Sequence, residues 1–260
     1  GAAGFIGFHL TRKLLQNNFN VIGIDNFSKY YDVKLKENRL KNLKIYDNFK
    51  FHNLDVNDIG KLDNVFKKAP KSFIVHLAAQ PGVRLSETNP ELYFQANING
   101  FANVIEVIRK NEHLKLFYAS SSSVYGDFKK PFSEEIKNLN PKSIYGLTKL
   151  SNEITAKSFS RMTGITSVGY RFFSVYGPWG RPDMAYFLFS KNIRSNEKIS
   201  LFNNGENSRD MTYIDDVIAG IYESFFKDFG DCEYKIFNLG NKKPIKTKSL
   251  LNIISNHYGR

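Results

Sequence analysis

A glycine-rich segment opens the chain and constrains its fold more than any other feature. Gly1, Gly4 and Gly7 stand in GAAGFIG at the start of a helical pattern, and the next apolar run, NVIGID, ends at Asp25. A helix that begins at a glycine turn offers free backbone N–H groups and a positive dipole end to a pyrophosphate. A carboxylate at the tip of the following strand binds a ribose diol and repels a 2′-phosphate. The segment therefore predicts a dinucleotide site that prefers NAD to NADP.

The order of apolar runs along the chain predicts the fold class. The runs NVIGID, KFHNLDV, SFIVHLAA, LKLFYASS and TSVGYRFF are typical of buried strands, and they alternate with segments of helical length. We predict helices over residues 7–17, 59–68, 90–111 and 143–162. This alternation is typical of an α/β protein with a doubly wound parallel (Rossmann) sheet. No strand precedes Gly1, so we expect the first strand of that sheet to be missing from this sequence.

The texture of the sequence changes after Phe173. Gly177, Pro178, Gly180 and Pro182 follow closely and indicate loops. We predict a dinucleotide-binding domain over residues 1–173 and a smaller C-terminal substrate domain over 174–260. Within the second domain we expect a helix at 215–228 and a strand at 234–239, with part of it, about 209–230, packing back on the first domain.

Composition narrows the class of protein. The formal charge of the 260 residues is +12, but lysines such as Lys34, Lys36 and Lys41 are scattered among acidic residues. This pattern favours a solvated basic surface over a nucleic-acid partner, and the positive field would still attract a diphosphate substrate. The single cysteine, Cys232, excludes a disulfide framework and a cysteine-based metal site. We predict no membrane partner and a cytoplasmic location, since no apolar run reaches membrane-spanning length. We also predict no metal.

Tyr145 and Lys149 form the first candidate for chemistry. They stand one helical turn apart in SIYGLTKLSNEI, so a helix would place them on one face. A free phenol has a pKa of about 10 and is a poor base at neutral pH. A neighbouring ammonium, together with the positive ring of an oxidised nicotinamide, favours the phenolate. The pair therefore predicts a tyrosine base whose pKa is lowered.

A row of four serines supports this interpretation. Residues 120–123 follow the apolar strand LKLFYA and precede Val124. Hydroxyl groups at the carboxyl end of a parallel strand face the crevice where such sheets bind ligands. A hydroxyl there can pass a proton between a substrate and the phenolate. We therefore place the serine row in the same site as Tyr145.

Together, the segments GAAGFIG, HLAAQ, SSSSVYG, YGLTK and RFFSVYGPWGRPDM resemble the extended short-chain dehydrogenase/reductase family. Within that family the sequence is most similar to nucleotide-sugar epimerases, in particular those that act at C4 of UDP-glucuronate. YYDVKLKENRL after Asp25, Arg84 after HLAAQPGV, and GPWGRPDM carry this finer resemblance. Sugar-nucleotide 4,6-dehydratases of the family have an Asp-Glu pair where this chain has Ser122 and Ser123, which disfavours elimination chemistry. The family usually continues past Arg260, so we expect both ends to be truncated.

The resemblance implies a role for each matching residue. Tyr145 is implied to be the base, Lys149 its partner and a ligand of the nicotinamide ribose, and Ser121 the hydroxyl that bridges to the sugar. The implied cofactor contacts are Gly1, Gly4, Phe5, Ile6, Gly7, Asp25, Asn26, Asp55, Val56, Leu77, Ala78, Ala79 and Asn97, with Tyr145 and Lys149. The implied substrate contacts are Arg84, Ser121, Ser122, Ser123, Ser174, Arg181 and Arg209, of which Arg209 would grip the UDP diphosphate.

The resemblance implies an NAD-dependent isomerase that oxidises C4 of a UDP-sugar and reduces it again, most simply UDP-glucuronate to UDP-galacturonate in polysaccharide biosynthesis. A UDP-glucose 4-epimerase and a UDP-glucuronate decarboxylase remain open as alternatives. A non-catalytic dinucleotide-sensing scaffold is a further alternative, and it predicts a damaged triad, whereas Ser121, Tyr145 and Lys149 are all present.

The resemblance also implies a homodimer. The helices predicted at 90–111 and 143–162 would pair with their copies to form a four-helix interface. Phe94, Phe101, Ile105 and Ile108 exceed what one buried stripe of a helix needs.

Overall fold

Parallel strands and helices alternate along the chain, as the apolar runs predict. The computed structural model describes residues 1–69, 73–111, 115–129, 131–229 and 234–260. The strands are β1 (Val21–Asp25), β2 (Phe49–Asn53), β3 (Phe73–His76), β4 (Lys115–Ser121), β5 (Thr166–Phe172), β6 (Ser174–Tyr176), β7 (Ser208–Tyr213), β8 (Tyr234–Leu239) and β9 (Pro244–Lys246). The helices are α1 (Phe5–Gln16), α2 (Val33–Leu43), α3 (Ile59–Lys67), α4 (Leu85–Thr88), α5 (Pro90–Tyr93), α6 (Gly100–Asn111), α7 (Ile144–Thr163), α8 (Ala185–Arg194), α9 (Ile214–Ser224) and α10 (Thr247–His257).

The parallel strands form two hydrogen-bonded sets. One set has the order β3-β4-β5-β8 and the other is the pair β1-β2, and every pairing within them is parallel. Between the sets lie the first residues of the glycine segment, where the Ala2 N–H donates to the Ile24 carbonyl at 3.0 Å. The predicted α/β class with a parallel sheet is confirmed.

Helices cover both faces of the larger set because successive residues of a strand point to opposite sides. On β4, Phe117 packs in a cluster with α1 and α9. Its neighbours Leu116 and Tyr118 pack in a second cluster with α3, α6 and α7. All three side chains are fully buried. The continuous apolar runs of the sequence thus correspond to strands with two buried faces.

The predicted element bounds need three corrections. The helix expected over 90–111 is divided into α5, a π-helical segment at 94–99, and α6. The runs KFHNLDV and SFIVHLAA end as strands at Asn53 and His76, because the residues that follow line a cavity instead of a sheet. The helix expected over 215–228 ends at Ser224.

The C-terminal third contributes to two places in the fold. The strands β6 and β7 pair in parallel and β9 pairs antiparallel with β7, which forms a separate small sheet. Helices α8 and α10 contact each other. In contrast, β8 extends the larger parallel set and α9 packs on α1. The two-domain division of the sequence stays a prediction.

Two predictions from composition concern Cys232 and membrane-spanning segments. Cys232 lies outside the described residues. Among the described helices, none combines the length and apolar character that crossing a membrane requires.

Candidate active site

A large cavity of about 2130 Å³ runs along the carboxyl ends of the parallel strands. The structure brings nearly all of the implied site residues to its wall. Those that line it are Gly1, Gly4, Phe5, Ile6, Gly7, Asp25, Asn26, Asp55, Val56, Leu77, Ala78, Ala79, Arg84, Ser121, Ser122, Ser123, Tyr145, Lys149, Ser174, Arg181 and Arg209.

Asn97 is the exception among the implied cofactor contacts. It is buried behind the wall and does not line the cavity. Its amide oxygen accepts from the Gln80 N–H at 2.8 Å, and its amide nitrogen donates to the Gln80 carbonyl and to Thr148 Oγ1. Because these bonds use its polar atoms, Asn97 holds the segment after β3 against α7.

The glycine segment lines one part of the cavity. Gly4 precedes the first turn of α1 with extended backbone, and no side chain caps this end of the helix. A Cβ atom at Gly7 would lie 2.0 Å from the Gly1 carbonyl oxygen, so only glycine allows the turn to close this tightly. The uncapped N–H groups of the first turn face the cavity and can receive an anionic group.

Asp25 lies at the tip of β1 beside this turn and is almost completely buried. Its carboxylate accepts from the Ala3 N–H at 3.2 Å and from the Phe27 N–H at 2.9 Å. Lys36 Nζ lies 3.4 Å from Oδ1 of the same carboxylate. The charge of Asp25 is therefore partly compensated, which weakens the repulsion of a 2′-phosphate that the sequence argument invoked.

Helix α2 corrects the prediction of a uniformly solvated basic surface. Lys34 and Lys41 are exposed, but Lys36 is buried. Arg39, on the same face, is also buried. Lys36, Arg39 and Leu40 stand at positions i, i+3 and i+4 in YYDVKLKENRL, which places them on one helix face, but two basic residues on that face gave no sign in the sequence that it is buried.

Ser121, Tyr145 and Lys149 line the same cavity as the glycine segment. Ser121 ends β4, and its Oγ accepts from the Ser123 N–H at 3.1 Å. Tyr145 and Lys149 lie one turn apart on α7, which begins where Ser143 accepts from the Gly146 N–H. Lys149 Nζ donates to the Ala119 carbonyl at 3.1 Å and lies 6.0 Å from the centre of the Tyr145 ring.

The electrostatics of this group differ from the sequence argument. Burial raises the pKa of Tyr145, while a hydrogen bond with Ser121 and the charge of Arg181 act to lower it. Burial also lowers the pKa of Lys149 to about 8. The lowering predicted from Lys149 together with the ring of an oxidised nicotinamide stays a prediction. In this structure Arg181 is the cation that favours the phenolate.

A buried polar network supports the serine row from behind. Ser120 Oγ donates to Glu153 Oε1 at 2.5 Å. Arg171 donates to both oxygens of Glu153, at 2.9 and 2.7 Å, and to the Tyr125 hydroxyl at 2.8 Å. Tyr125 donates in turn to Asn238 on β8 at 2.7 Å. These bonds join α7, β4, β5 and β8 directly beneath Ser121.

The three arginines implied to bind substrate all line the cavity. The Arg84 guanidinium stacks 3.6 Å above the ring centre of Phe202, which sequence reasoning missed. Arg209 is exposed at the wall. Arg181 makes two parallel hydrogen bonds to Asp183, at 2.9 and 2.7 Å, and Tyr30 donates to the same carboxylate at 3.0 Å.

Within the described residues, no group of three histidine, cysteine or acidic side chains lies close enough to hold a metal ion.

Comparisons with known proteins identify the family. Residues 1–240 match the model of the NAD dependent epimerase/dehydratase family. The chain belongs to this family. The family resemblance stated from the sequence is thereby confirmed, and so is the dependence on NAD.

Individual relatives refine the comparison. The chain is 41% identical to Protein CapI of Staphylococcus aureus, covering 100% of this chain and 82% of that protein. It is 40% identical to UDP-glucuronate 4-epimerase 2 of Arabidopsis thaliana, covering 98% of this chain and 62% of that protein. The crystal structure of UDP-glucuronic acid 4-epimerase from Bacillus cereus, in complex with UDP-glucuronic acid and NAD, superimposes with a TM-score of 0.92. That enzyme is 32% identical, and the match covers 100% of this chain and 82% of the other.

Proposed function

We propose that this protein is an NAD-dependent epimerase that inverts C4 of a UDP-sugar, and that the sugar is glucuronate. The observation that carries the proposal is that Ser121, Tyr145 and Lys149 line the same cavity as the glycine turn and Arg209. A scaffold protein would not need a tyrosine, a lysine and a serine assembled between a cofactor end and a substrate end.

The part of the cavity that the glycine segment and Asp25 line fits a dinucleotide. The uncapped N-terminus of α1 would hold the pyrophosphate, and Asp25 with Asn26 would hold the adenosine ribose. Asp55 and Val56 line the adjoining wall, where the adenine would lie. When bound, NAD supplies a reversible hydride acceptor beside the sugar.

The residues of the chain would manage the proton. Tyr145 would accept the proton of the C4 hydroxyl as the sugar is oxidised, and would return it when the sugar is reduced on its other face. Ser121, whose Oγ donates to Ser123 Oγ at 3.2 Å, would bridge the phenol and the sugar oxygen. The 4-keto sugar would turn over in the cavity between the two steps.

The choice of a uronate is supported by relatives, since the Arabidopsis protein is named a UDP-glucuronate 4-epimerase and the Bacillus structure contains UDP-glucuronic acid. A uronate also fits the chemistry of the cavity wall near the serine row. Oxidation at C4 makes the sugar a β-keto acid, which loses its carboxylate easily when no group restrains it. The hydroxyls of Ser122, Ser123 and Ser174 would restrain this carboxylate by hydrogen bonds. As weak acids, they would not donate a proton to the enolate that decarboxylation forms. The charge of Arg181 is already paired with Asp183.

The test is an NMR assay of the purified protein with NAD and UDP-glucuronate. We expect UDP-galacturonate with little UDP-pentose, and Ser174→Ala should increase the pentose fraction. Tyr145→Phe should retain NAD and sugar but lose about 100-fold to 10,000-fold in turnover, as lost acid–base catalysis does. Release of mainly UDP-pentose would make the protein a decarboxylase, and activity on UDP-glucose alone would make it a neutral-sugar epimerase. Near-normal turnover by Tyr145→Phe would refute the mechanism.

We also propose that two copies associate through α5, α6 and α7. Phe101 and Ile108 are not available for this, because both are buried in the core of their own chain. The exposed apolar side chains on α5, on the π-helical segment that leads into α6, and on α7 are instead Leu92, Phe94, Leu147, Ile154 and Met162. A face of this kind is typical of a contact between copies. Ile154→Glu should turn a dimer into a monomer in light scattering, whereas a wild-type monomer would refute the proposal.

The cellular setting follows from the same reaction. We propose that the protein acts in the cytoplasm and supplies a UDP-hexuronate to polysaccharide synthesis. Fractionation of cells, with the activity assayed in each fraction, tests the location.

A further inference from the structure

Arg39 is a buried cation for which the epimerase mechanism has no use. Its side chain, on α2, is fully buried. Within the part of the chain that the structure describes, its bonds go to neutral oxygens and to no carboxylate. Its Nε atom is buried without a hydrogen-bond partner there. Burying an unpaired charge is costly, so the position demands an explanation beyond packing.

The partners of Arg39 belong to three separate segments. Nη1 donates to the Ala3 carbonyl in the glycine turn at 3.1 Å and to the Tyr31 hydroxyl at 2.7 Å. Nη2 donates to the Trp179 carbonyl at 2.5 Å and lies 3.4 Å from the Gly180 carbonyl. One guanidinium thus joins the cofactor turn to the loop between β6 and α8. Its planar, forked donors suit such a multiple contact, which a lysine could not reproduce.

This loop is fastened to the cofactor end at further points. His9 on α1 contacts the Pro178 carbonyl at 2.9 Å. The ring of Trp179 packs 5.7 Å from Phe8 on the same helix. Trp179 also has a φ of 61°, a left-handed conformation that a non-glycine residue keeps only where its surroundings impose it. The carbonyl of this strained residue accepts the shortest of the Arg39 bonds.

The next residue of the loop after Gly180 is Arg181, which lines the cavity. It lies near enough to Tyr145 for its charge to act on the phenol. A displacement of the loop would therefore move Arg181 relative to Tyr145 and to the sugar. The contacts of Arg39 join the glycine turn to Gly180, the residue before Arg181.

We propose that Arg39 is a positioning residue that couples the two ends of the cavity by tying the glycine turn to the loop that carries Arg181. The inference rests on the proposed function, because it assigns the dinucleotide to one end and the sugar to the other. A dinucleotide that orders the glycine turn would then order the loop through Arg39. The loop would bind the sugar more tightly, and the sugar would strengthen dinucleotide binding by the same factor.

The test measures coupling rather than turnover. Calorimetry gives the affinity for UDP-glucuronate with and without NAD, in a Tyr145→Phe background that does not consume the ligand. We expect NAD to tighten binding at least about fivefold, the lower end of typical coupling. Adding Arg39→Met should reduce this factor below about twofold. Arg39→Met should change the affinity for UDP, which lacks the sugar, by less than twofold.

Matched variants separate coupling from folding. Lys41→Met alters an exposed cation on the same helix and should leave the coupling factor unchanged. If Arg39→Met does not fold, Arg39→Lys and Tyr31→Phe decide the question, because each removes part of the contact and should lower the factor at least twofold. An unchanged factor in folded Arg39 variants overturns the inference. Ligand binding with intact coupling but without epimerisation by the wild type would overturn the proposed function and leave the inference standing.

Discussion

The buried ion pair behind the serine row offers a quantitative test of how the site is supported. Arg171 and Glu153 are about 4% and 5% exposed, and they share two hydrogen bonds of 2.9 and 2.7 Å. Glu153→Met keeps the length of the side chain but removes both acceptors. It leaves the Arg171 cation buried with the Tyr125 hydroxyl as its remaining acceptor among these partners.

The expected loss follows from those contacts. A hydrogen bond to a charged group contributes about 1.5–3 kcal/mol, so two of them give about 3–6 kcal/mol. Breaking a buried pair on one side typically costs about 3–5 kcal/mol. We therefore expect the free energy of unfolding to fall by about 4 kcal/mol. At about 2–4 °C per kcal/mol for a chain somewhat shorter than this one, the melting temperature should drop by roughly 8–16 °C.

Urea unfolding followed by circular dichroism measures this loss. Glu106→Met is the matched control, because Glu106 pairs with Arg109 and Lys110 on the solvent side of α6 and its loss should leave the midpoint nearly unchanged. The double variant Glu153→Met/Arg171→Leu should recover much of the stability, since no charge is then left buried. A loss below about 1 kcal/mol for Glu153→Met would refute the reasoning.

Three further predictions concern the charges at the site. Arg181→Met removes the positive charge that lowers the pKa of Tyr145, so the rising limb of a kcat–pH profile should move to higher pH; a shift to lower pH would contradict this. Because burial lowers the pKa of Lys149 to about 8, its ammonium is lost as the pH rises through that value, and NAD affinity should fall above about pH 8. Lys149→Met should weaken NAD binding and abolish this pH dependence, which fluorescence titration can follow. Asp25→Ala should weaken NAD more than NADP, whereas Lys36→Met should weaken NADP more than NAD; an NAD-to-NADP affinity ratio that neither variant changes would refute the electrostatic argument for Asp25.

The features that the sequence predicted correctly are set by local chemistry. Apolar runs such as LKLFYASS predict a buried strand because each residue carries its own hydrophobicity and β propensity. The turn before α1 is predictable because only glycine fits its close backbone approach at Gly7. The one-turn spacing of Tyr145 and Lys149 places them on a common face of any helix. Because each of these signals lies within a few residues of the chain, it can be identified from the sequence alone.

The features that sequence reasoning missed depend on contacts between distant segments. Basic residues are usually exposed, so the burial of Lys36 and Arg39 follows only when α2 is seated against Asp25 and the loop after β6. Likewise, the pKa of Tyr145 depends on burial and on Arg181, which is far from it in the chain. By itself, the amino-acid sequence determined the alternation of strands and helices, the glycine turn and the residues available for chemistry. Tertiary structure alone decided which charges are buried and which cation acts on the phenol, because desolvation and Coulomb energies depend on distances that only the folded chain defines.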